Sequence, residues 1–274
     1  MNELQNTVFQ LLREFDRICR ENNIEYFAVG GTLLGSVRHK GFIPWDDDVD
    51  VGMLRQEYDK FLKVAPRLLP DYYFLQHYTT DPGFVFGFTK MRDSRTTFLE
   101  SRLKNRKMNH GIYIDIFPFD YYPENQIKQE VLILKKRFLS ARVRQTFLLK
   151  ESDINSRIGE YCANILGNIV ALKYPTVVEV LKIRDTLYSS VPRSTLVNNY
   201  YGVWGKREIV PLLWVKETKE LSFEGLNIMV PMFYDAYLRN IYGDYMTLPP
   251  IEKRVSRHDT DVVDSARPYT EYLN

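Results

Sequence analysis

Cysteine is nearly absent from this chain. Cys19 and Cys162 lie far apart in apolar surroundings and match neither a metal-binding spacing nor a disulfide framework. Reduced, buried thiols in a cytosolic protein are therefore expected. An excess of either charge is also missing: 37 Lys+Arg against 35 Asp+Glu leave +2, too little to argue for general nucleic-acid binding. No run is long and apolar enough to span a bilayer. The opening "MNELQNTVFQLLREFDRICREN" carries charges throughout and lacks the apolar core of a secretory signal. There is no P-loop, H-E-x-x-H, C-x-x-C or G-x-S-x-G, which excludes the commonest nucleotide, zinc-protease, redox and serine-hydrolase signatures. Repeats and low-complexity linkers are absent. A soluble cytoplasmic protein is the expectation.

What is present is ordinary globular material: 274 residues, 45% hydrophobic and 26% charged, enough for one large domain or a core plus a lobe. Leu4, Val8, Leu11, Phe15 and Ile18 recur at helical spacing up to "ENNI". "YFAV" then reads as a strand running into a Gly turn and a short helix, "GGTLLGS". "EYDKFLKVAPRLLP" is helical as far as its prolines. "YYFLQHY", "GFTKMRD", "TTFLES" and "GIYIDIFPF" follow as strands. From about residue 124 helical spacing takes over, with Ile127, Val131, Leu134 and Phe138 four, three and four apart, and "RIGEYCANILGNIVAL" continuing it. "LSFEGLNIMVP" predicts a hairpin and "FYDAYLRNIYG" a helix ending at Gly. The expected class is α/β (α+β): a mixed sheet flanked by helices over residues 1–120, a helical lobe over 121–199, and a segment 200–274 packing back on the core.

The chemistry concentrates in "GFIPWDDDVDVGM". Asp46, Asp47, Asp48 and Asp50 must repel one another, at about 1 kcal/mol per pair ~4 Å apart in water and roughly 4 kcal/mol near a protein surface. Strand alternation puts Asp48 and Asp50 on one face and Val49, Val51 and Met53 on the other. Carboxylates so spaced can share a hard divalent cation, which prefers oxygen ligands and typically adds substrate phosphates; the plain alternative is a solvated acidic turn. Asp115 is the only charge in "GIYIDIFPF". Ile112, Ile114 and Ile116 share one face of that strand, and Tyr113, Asp115 and Phe117 the other. A lone acid there is costly to bury unless paired, hydrogen-bonded or metal-bound. Upstream, Gly30 and Gly31 directly after a strand let backbone N–H groups approach a phosphate, and the helix start adds its dipole.

Gly-Gly turn, acid-x-acid strand and later acidic strand together resemble the polymerase-β-like nucleotidyltransferase superfamily. More narrowly, "GGTLLGSVRHKGFIPWDDDVDVGM", "KMRDSRTTF", "GIYIDIFPFD" and "YGDYMTLPPIEKRVSRH" resemble the LicD family of phosphorylcholine transferases related to fukutin. The resemblance implies a nucleotidyltransferase-type fold, with Asp48, Asp50 and Asp115 as catalytic metal ligands for Mg²⁺ or Mn²⁺ and Asp46 and Asp47 as secondary candidates. It implies transfer of a phospho-alcohol from CDP-choline or a similar CDP-alcohol to a sugar hydroxyl, with CMP leaving. The acceptor would be a lipopolysaccharide or teichoic-acid precursor on a lipid-diphosphate carrier, which suggests a peripheral position at the inner face of the cell membrane. The extra domains and zinc-binding cysteines of fukutin-related proteins have no counterpart here.

A site handling phosphates also needs cations and donors. Gly30, Gly31, Thr32, Arg38, His39, Lys90 and Arg92 are the substrate-binding candidates, with Lys90 and Arg92 alternating on one strand as diphosphate contacts. Arg254 and His258 could close over the site or dock the last helix. "RLKNRK" and "KKRFLSARVR" read as solvated basic faces or as contacts with an anionic membrane. A choline group would suit an aromatic cage, for which Tyr200, Tyr201, Trp204 and Trp45 are available. Two other readings stay open: a D-x-D glycosyltransferase using a sugar nucleotide, and an inactive carrier-binding protein.

Overall fold

A computed structural model of the chain describes residues 1–145, 154–256 and 258–273, the side chains of 154–163 excepted. The elements run α1 (Glu3–Glu21), β1 (Phe27–Ala28), α2 (Gly30–Arg38), β2 (Asp50–Leu54), α3 (Arg55–Val64), β3 (Tyr73–Gln76), β4 (Thr89–Asp93), β5 (Thr97–Glu100) and β6 (Ile112–Tyr122). Three helices follow, α4 (Gln126–Arg144), α5 (Ile154–Lys173) and α6 (Val177–Ser189). The rest comprises β7 (Leu196–Asn199), β8 (Ile209–Pro211), α7 (Leu212–Lys216), β9 (Thr218–Phe223), β10 (Leu226–Pro231), α8 (Tyr234–Tyr242) and β11 (Thr260–Asp264). The α/β class expected from the sequence is the one observed.

The main sheet is mixed. Its order is β1-β2-β6-β4-β3, with β7 and β8 continuing from the far half of β6. Only β2 and β6 run parallel; the other neighbours are antiparallel. The eleven-residue β6 is thus the spine, bordered by β2 on one edge and by β4 and then β7 on the other. Its Ile112, Ile114 and Ile116 are fully buried, as their shared face predicted. They join the core built on α1, whose Val8, Leu11, Leu12, Phe15, Ile18 and Cys19 are at most 1% exposed. Burying each large apolar side chain contributes about 1.5–3 kcal/mol, so this layer fixes the back of the sheet. α1 starts at a capping box in which Asn2 and Gln5 satisfy each other's backbone N–H. Cys19 is a buried free thiol; the environment of Cys162 lies outside the described residues.

At two elements the structure adds to what the spacing predicts. The "DVDV" strand begins at Asp50, because residues 46–49 are spent on the loop that masses the acids. α4 is helical as its spacing demands, yet Ile127, Val131, Leu134 and Phe138 face solvent, while Leu132, Leu139 and Val143 face inward. The predicted hairpin is β9–β10, in register from Phe223↔Leu226 to Thr218↔Pro231, and α8 ends at Gly243. The C-terminal stretch returns to the core, where β11 pairs with β5.

A buried ion cluster fastens α6 to the sheet. Arg55 Nε and Nη2 donate to the two Asp120 oxygens at 2.7 and 2.8 Å, and Nη2 lies 3.0 Å from Asp185 Oδ1 on α6. Asp120 is 1% exposed. Removing the cation strands a buried carboxylate, which typically costs about 3–5 kcal/mol. Arg55→Met should therefore lower the urea-unfolding free energy by about 3 kcal/mol, whereas Asp59→Asn, at the cluster's exposed fringe, should change it little. A second buried acid gives a pH signature. Glu208, 4% exposed, accepts a hydrogen bond from the Trp204 N–H, and burial raises its pKa to about 7. The folded state then binds the proton more tightly than the unfolded chain. That contribution is present below the unfolded value of 4.5 and is lost as pH rises through 7. Glu208→Gln should flatten the decline in stability between these pH values, by up to about 3 kcal/mol, in melts taken across the range.

Candidate functional site

The site lies where β1, α2, β2, β4 and β6 converge. Parallel pairing puts Asp50 directly beside Asp115, and antiparallel pairing puts Lys90 on the other side of Asp115. Three neighbouring strands thus contribute one row, Asp50–Asp115–Lys90. The pairing is held by backbone bonds: Asp115 N donates to Val49 O at 2.8 Å and Val29 N to Asp50 O at 3.1 Å. Thr32 Oγ1 accepts the Asp50 N–H at 2.8 Å. Thr32 is buried, so this candidate substrate contact is engaged in setting the start of β2.

Gly30 and Gly31 form the first turn of α2 itself, with no separate turn before it. Gly30 has φ +55°, and a Cβ there would stand 2.4 Å from Asp50 Oδ2. A Cβ on Gly31 would stand 2.1 Å from Asp46 Oδ2. The pair is bare so that two carboxylates can lie against the helix start, where the dipole favours negative charge. From α1, Gln5 Nε2 donates to Asp46 O at 2.9 Å and anchors the acidic loop.

Within that loop Asp46, Asp47 and Asp48 bring carboxylate oxygens within 4.8 Å of one another. Burial and the neighbouring Asp48 and Asp47 push Asp46 up to about 8. Asp48 is raised by burial and by Asp47, against the pull of His258 and Lys90. Asp50 is raised far above the carboxylate range by burial and by Asp48, Asp115 and Asp46. Burial also raises Asp115, against its bond to Lys90. Asp47 goes the other way: burial works against its charge, but hydrogen bonds from His258 and Ser256 prevail and lower it.

Those two donors come from the C-terminal stretch. Ser256 Oγ donates to Asp47 Oδ2 at 2.5 Å, His258 Nδ1 is 2.8 Å from Asp47 Oδ1, and His258 Nε2 is 3.6 Å from Asp48 Oδ2. Burial opposes the imidazolium, but the bond to Asp47 and the nearness of Asp48 outweigh it and raise His258 to about 9. Of the two sequence options for His258, the structure realises the one that closes over the acids. Ser256 is a contributor that the sequence does not announce, since a serine in "EKRVSRH" carries no signal of its own. Arg254 sits 5.5 Å from the Trp45 ring.

The other candidates divide. Lys90 Nζ donates to Asp115 Oδ1 at 2.6 Å and lies 3.3 Å from the Tyr113 ring centre and 5.4 Å from that of Phe88. Arg92 shares its face but is fully buried, donating from Nε to Gln76 Oε1 and from Nη1 to Gly111 O at 2.6 Å. That position ties β4 to the end of β3 and to the residue that leads into β6. Arg38 Nη1 donates to Tyr245 O at 2.9 Å and Arg38 Nε approaches His39 Nδ1 at 3.4 Å, while the His39 ring is edge-on to Trp45. Arg38, His39, Trp45 and Arg254 thus form one basic and aromatic wall. Tyr200 is elsewhere, stacked on Tyr188 at 4.0 Å, and Trp204 lies against Tyr242. Tyr201 reaches the Phe88 ring at 6.2 Å.

Residues 23–155 match the family described as LicD/FKTN/FKRP, nucleotidyltransferase domain. Along 94% of its length the chain is 31% identical to the lipopolysaccharide cholinephosphotransferase LicD of Haemophilus influenzae, covering 96% of that protein. This chain belongs to the LicD family. Shorter matches are an uncharacterized protein of Rickettsia prowazekii, 29% identical over 48% of this chain and 46% of its own length, and one of Rickettsia typhi, 31% over 44% and 37%. Haemophilus LicD thus parallels nearly the whole chain.

Acids so crowded, with glycines cleared before them, could hold a hard divalent cation, which takes oxygen ligands. Gly31→Ala gives a direct test. The added methyl meets only the movable tip of Asp46, so thermal melting should stay within a few degrees while Mn²⁺ affinity by calorimetry drops about tenfold. Gly30→Ala, strained by its backbone as well, should also lose roughly 1–2 kcal/mol of stability.

Proposed function

We propose that this LicD-family chain is a phosphotransferase that moves phosphocholine, or a related phospho-alcohol, from a CDP-alcohol to a sugar hydroxyl, releasing CMP. The acceptor is a cell-surface glycan or teichoic-acid precursor. The observation that carries the proposal is the in-register pair Asp50–Asp115, faced by Asp46–Asp48 across the Gly30–Gly31 helix start. The cholinephosphotransferase named for Haemophilus influenzae supports the choice of phosphocholine.

Asp48, Asp50 and Asp115 would hold Mg²⁺ or Mn²⁺, which supplies neutralising charge at the diphosphate oxygens. The protein's own groups do the rest. The first-turn N–H groups of α2 have no partner within their helix and point to where a phosphate would rest. Lys90 secures Asp115 Oδ1, leaving Oδ2 to orient the acceptor hydroxyl and take its proton as the new P–O bond forms and the bond to CMP breaks. The Arg38–His39–Trp45–Arg254 wall adds positive charge beside the acids for the departing phosphate. This reading puts the enzyme in the cytoplasm, peripheral to the inner face of the membrane where lipid-linked acceptors are made. No helix among the described residues is long and apolar enough to cross a membrane.

A panel of CDP-choline, CDP-ribitol and CDP-glycerol with Mg²⁺ or Mn²⁺, assayed for CMP with and without a lipid-linked amino-sugar acceptor, tests the reading. CMP should form from one donor and rise with acceptor. Asp50→Asn and Asp115→Asn should each lower kcat by about 10²–10⁴-fold. Release of UDP or GDP from a sugar nucleotide in place of CMP would replace the proposal with a glycosyltransferase. Unchanged Mg²⁺ affinity in Asp48→Asn/Asp50→Asn would point to a carrier-binding protein. If Asp115→Asn kept near-normal turnover, the base role of Asp115 would be dropped.

A further inference from the structure

α4 exposes an unbroken apolar line. Ile127, Val131, Leu134 and Phe138 are 75, 47, 69 and 39% exposed and sit at i, i+4, i+7 and i+11, a stripe about 16 Å long on one side of the helix. Five turns on from Ile127 the same line reaches Gln145, whose side-chain nitrogen donates to Asn164 O and Asn168 Oδ1 of α5. α5 therefore seats on the end of the stripe through Asn164, Gly167 and Asn168. Its Ile165, Ile169 and Leu172, at i, i+4 and i+7, fall on the opposite side and are 45, 48 and 88% exposed. Seven large apolar side chains on two packed helices are thus turned to solvent.

Charge says what such a face meets. α4 carries six Lys and Arg against one acid, Glu130. Exposed Lys128 and Lys135 flank its stripe on one side and Arg137 on the other, while Lys173 follows Leu172 on α5. Residues 124–193 hold twelve Lys+Arg and seven Asp+Glu, a net +5, so the remainder of the chain has a net −3 within the total of +2. Beside the stripe, a groove of about 490 Å³ runs between α4 and the α6–β7 connection, with Ile127, Val131, Leu187 and Pro192 in its lining and Lys135 and Arg193 among them. An apolar stripe edged by cations is the pattern of a helix lying in a bilayer interface, its apolar side in the acyl boundary and its lysines at anionic headgroups.

We infer that the α4–α5 face is the surface by which this protein docks on an anionic lipid bilayer. The inference gives the peripheral position proposed above a physical location, and it rests on binding alone, so it stands or falls separately from the transfer chemistry. The full chain is tested by co-sedimentation with vesicles of phosphatidylcholine alone and with about 30 mol % phosphatidylglycerol. Wild type should pellet with the anionic vesicles, more weakly as salt is raised. Lys128→Gln/Lys135→Gln/Arg137→Gln should weaken this roughly a hundredfold, and Ile127→Ser/Leu134→Ser about tenfold or more. Both variants replace exposed side chains and should keep the wild-type melting curve. Failure of wild type to pellet, equal binding to neutral vesicles, or equal binding by both variants would overturn the inference. So would a dimer in analytical ultracentrifugation that Leu134→Ser dissociates while vesicle binding is absent.

Discussion

Everything about the site follows from placing like charges where they least want to be. Five aspartates, 46, 47, 48, 50 and 115, crowd one end of the sheet, and every close pair costs about 4 kcal/mol at the effective dielectric of a protein surface. The fold tolerates this only through compensations that are individually visible. Lys90 pairs with Asp115, His258 pairs with Asp47 and comes within 3.6 Å of Asp48, and burial among the other acids shifts Asp46 and Asp50 upward, toward their neutral forms. Acids pushed toward their neutral form in one cleft, against glycines with no side chain, mark a place where a bound cation would relieve the crowding.

The distribution of compensations explains the architecture. Asp50 and Asp115 need a parallel, in-register pair, and β2–β6 is the one parallel contact in the main sheet among the described residues. A parallel pair needs a long crossover, and the chain uses it to carry β4, which brings Lys90 to the far side of Asp115. The neutralising groups for Asp47 come from more than 200 residues downstream, brought home by β11 pairing with β5 and by Thr97 Oγ1 bonding to Arg267 O. The acidic loop is therefore complete only once the C-terminal stretch has docked. Such distant pairings form late in folding, because loop closure must be met before contacts repay it.

Much of this was legible in the sequence, for physical reasons that can be named. Asp115 stood out because a single charge in an apolar strand must be satisfied by something, and alternation alone gave its facing Tyr113 and Phe117. α1 and β9–β10 were legible because their periodicities coincide with their burial. Arg92 was not. Alternation puts it on the same face as Lys90, but only the tertiary structure shows that Lys90 meets Asp115 while Arg92 is spent on Gln76 and Gly111. Thr32 was likewise placed in the right neighbourhood, yet its hydroxyl is spent on the Asp50 N–H. Ser256 was invisible since its role comes wholly from a partner far away in the chain.

α4 shows the limit of periodicity most sharply. A repeat of four, three and four identifies a helix and its apolar stripe, and the usual next step is to turn that stripe inward. Here the inward contacts are made by Leu132, Leu139 and Val143, so the helix is apolar on two sides. Burial accounts for one of them. For the other, the flanking cations favour the lipid-docking role inferred above: a face destined for a protein core would strand Lys128, Lys135 and Arg137 against apolar neighbours. At a water–lipid boundary the long stems of those residues lie along the apolar surface while their charged ends stay in water. The near-zero net charge of the whole chain conceals this, because a lobe of net +5 is offset by a remainder of net −3. Segregated charge of this kind orients a molecule at a negative surface, basic lobe inward, without raising its overall attraction to polyanions.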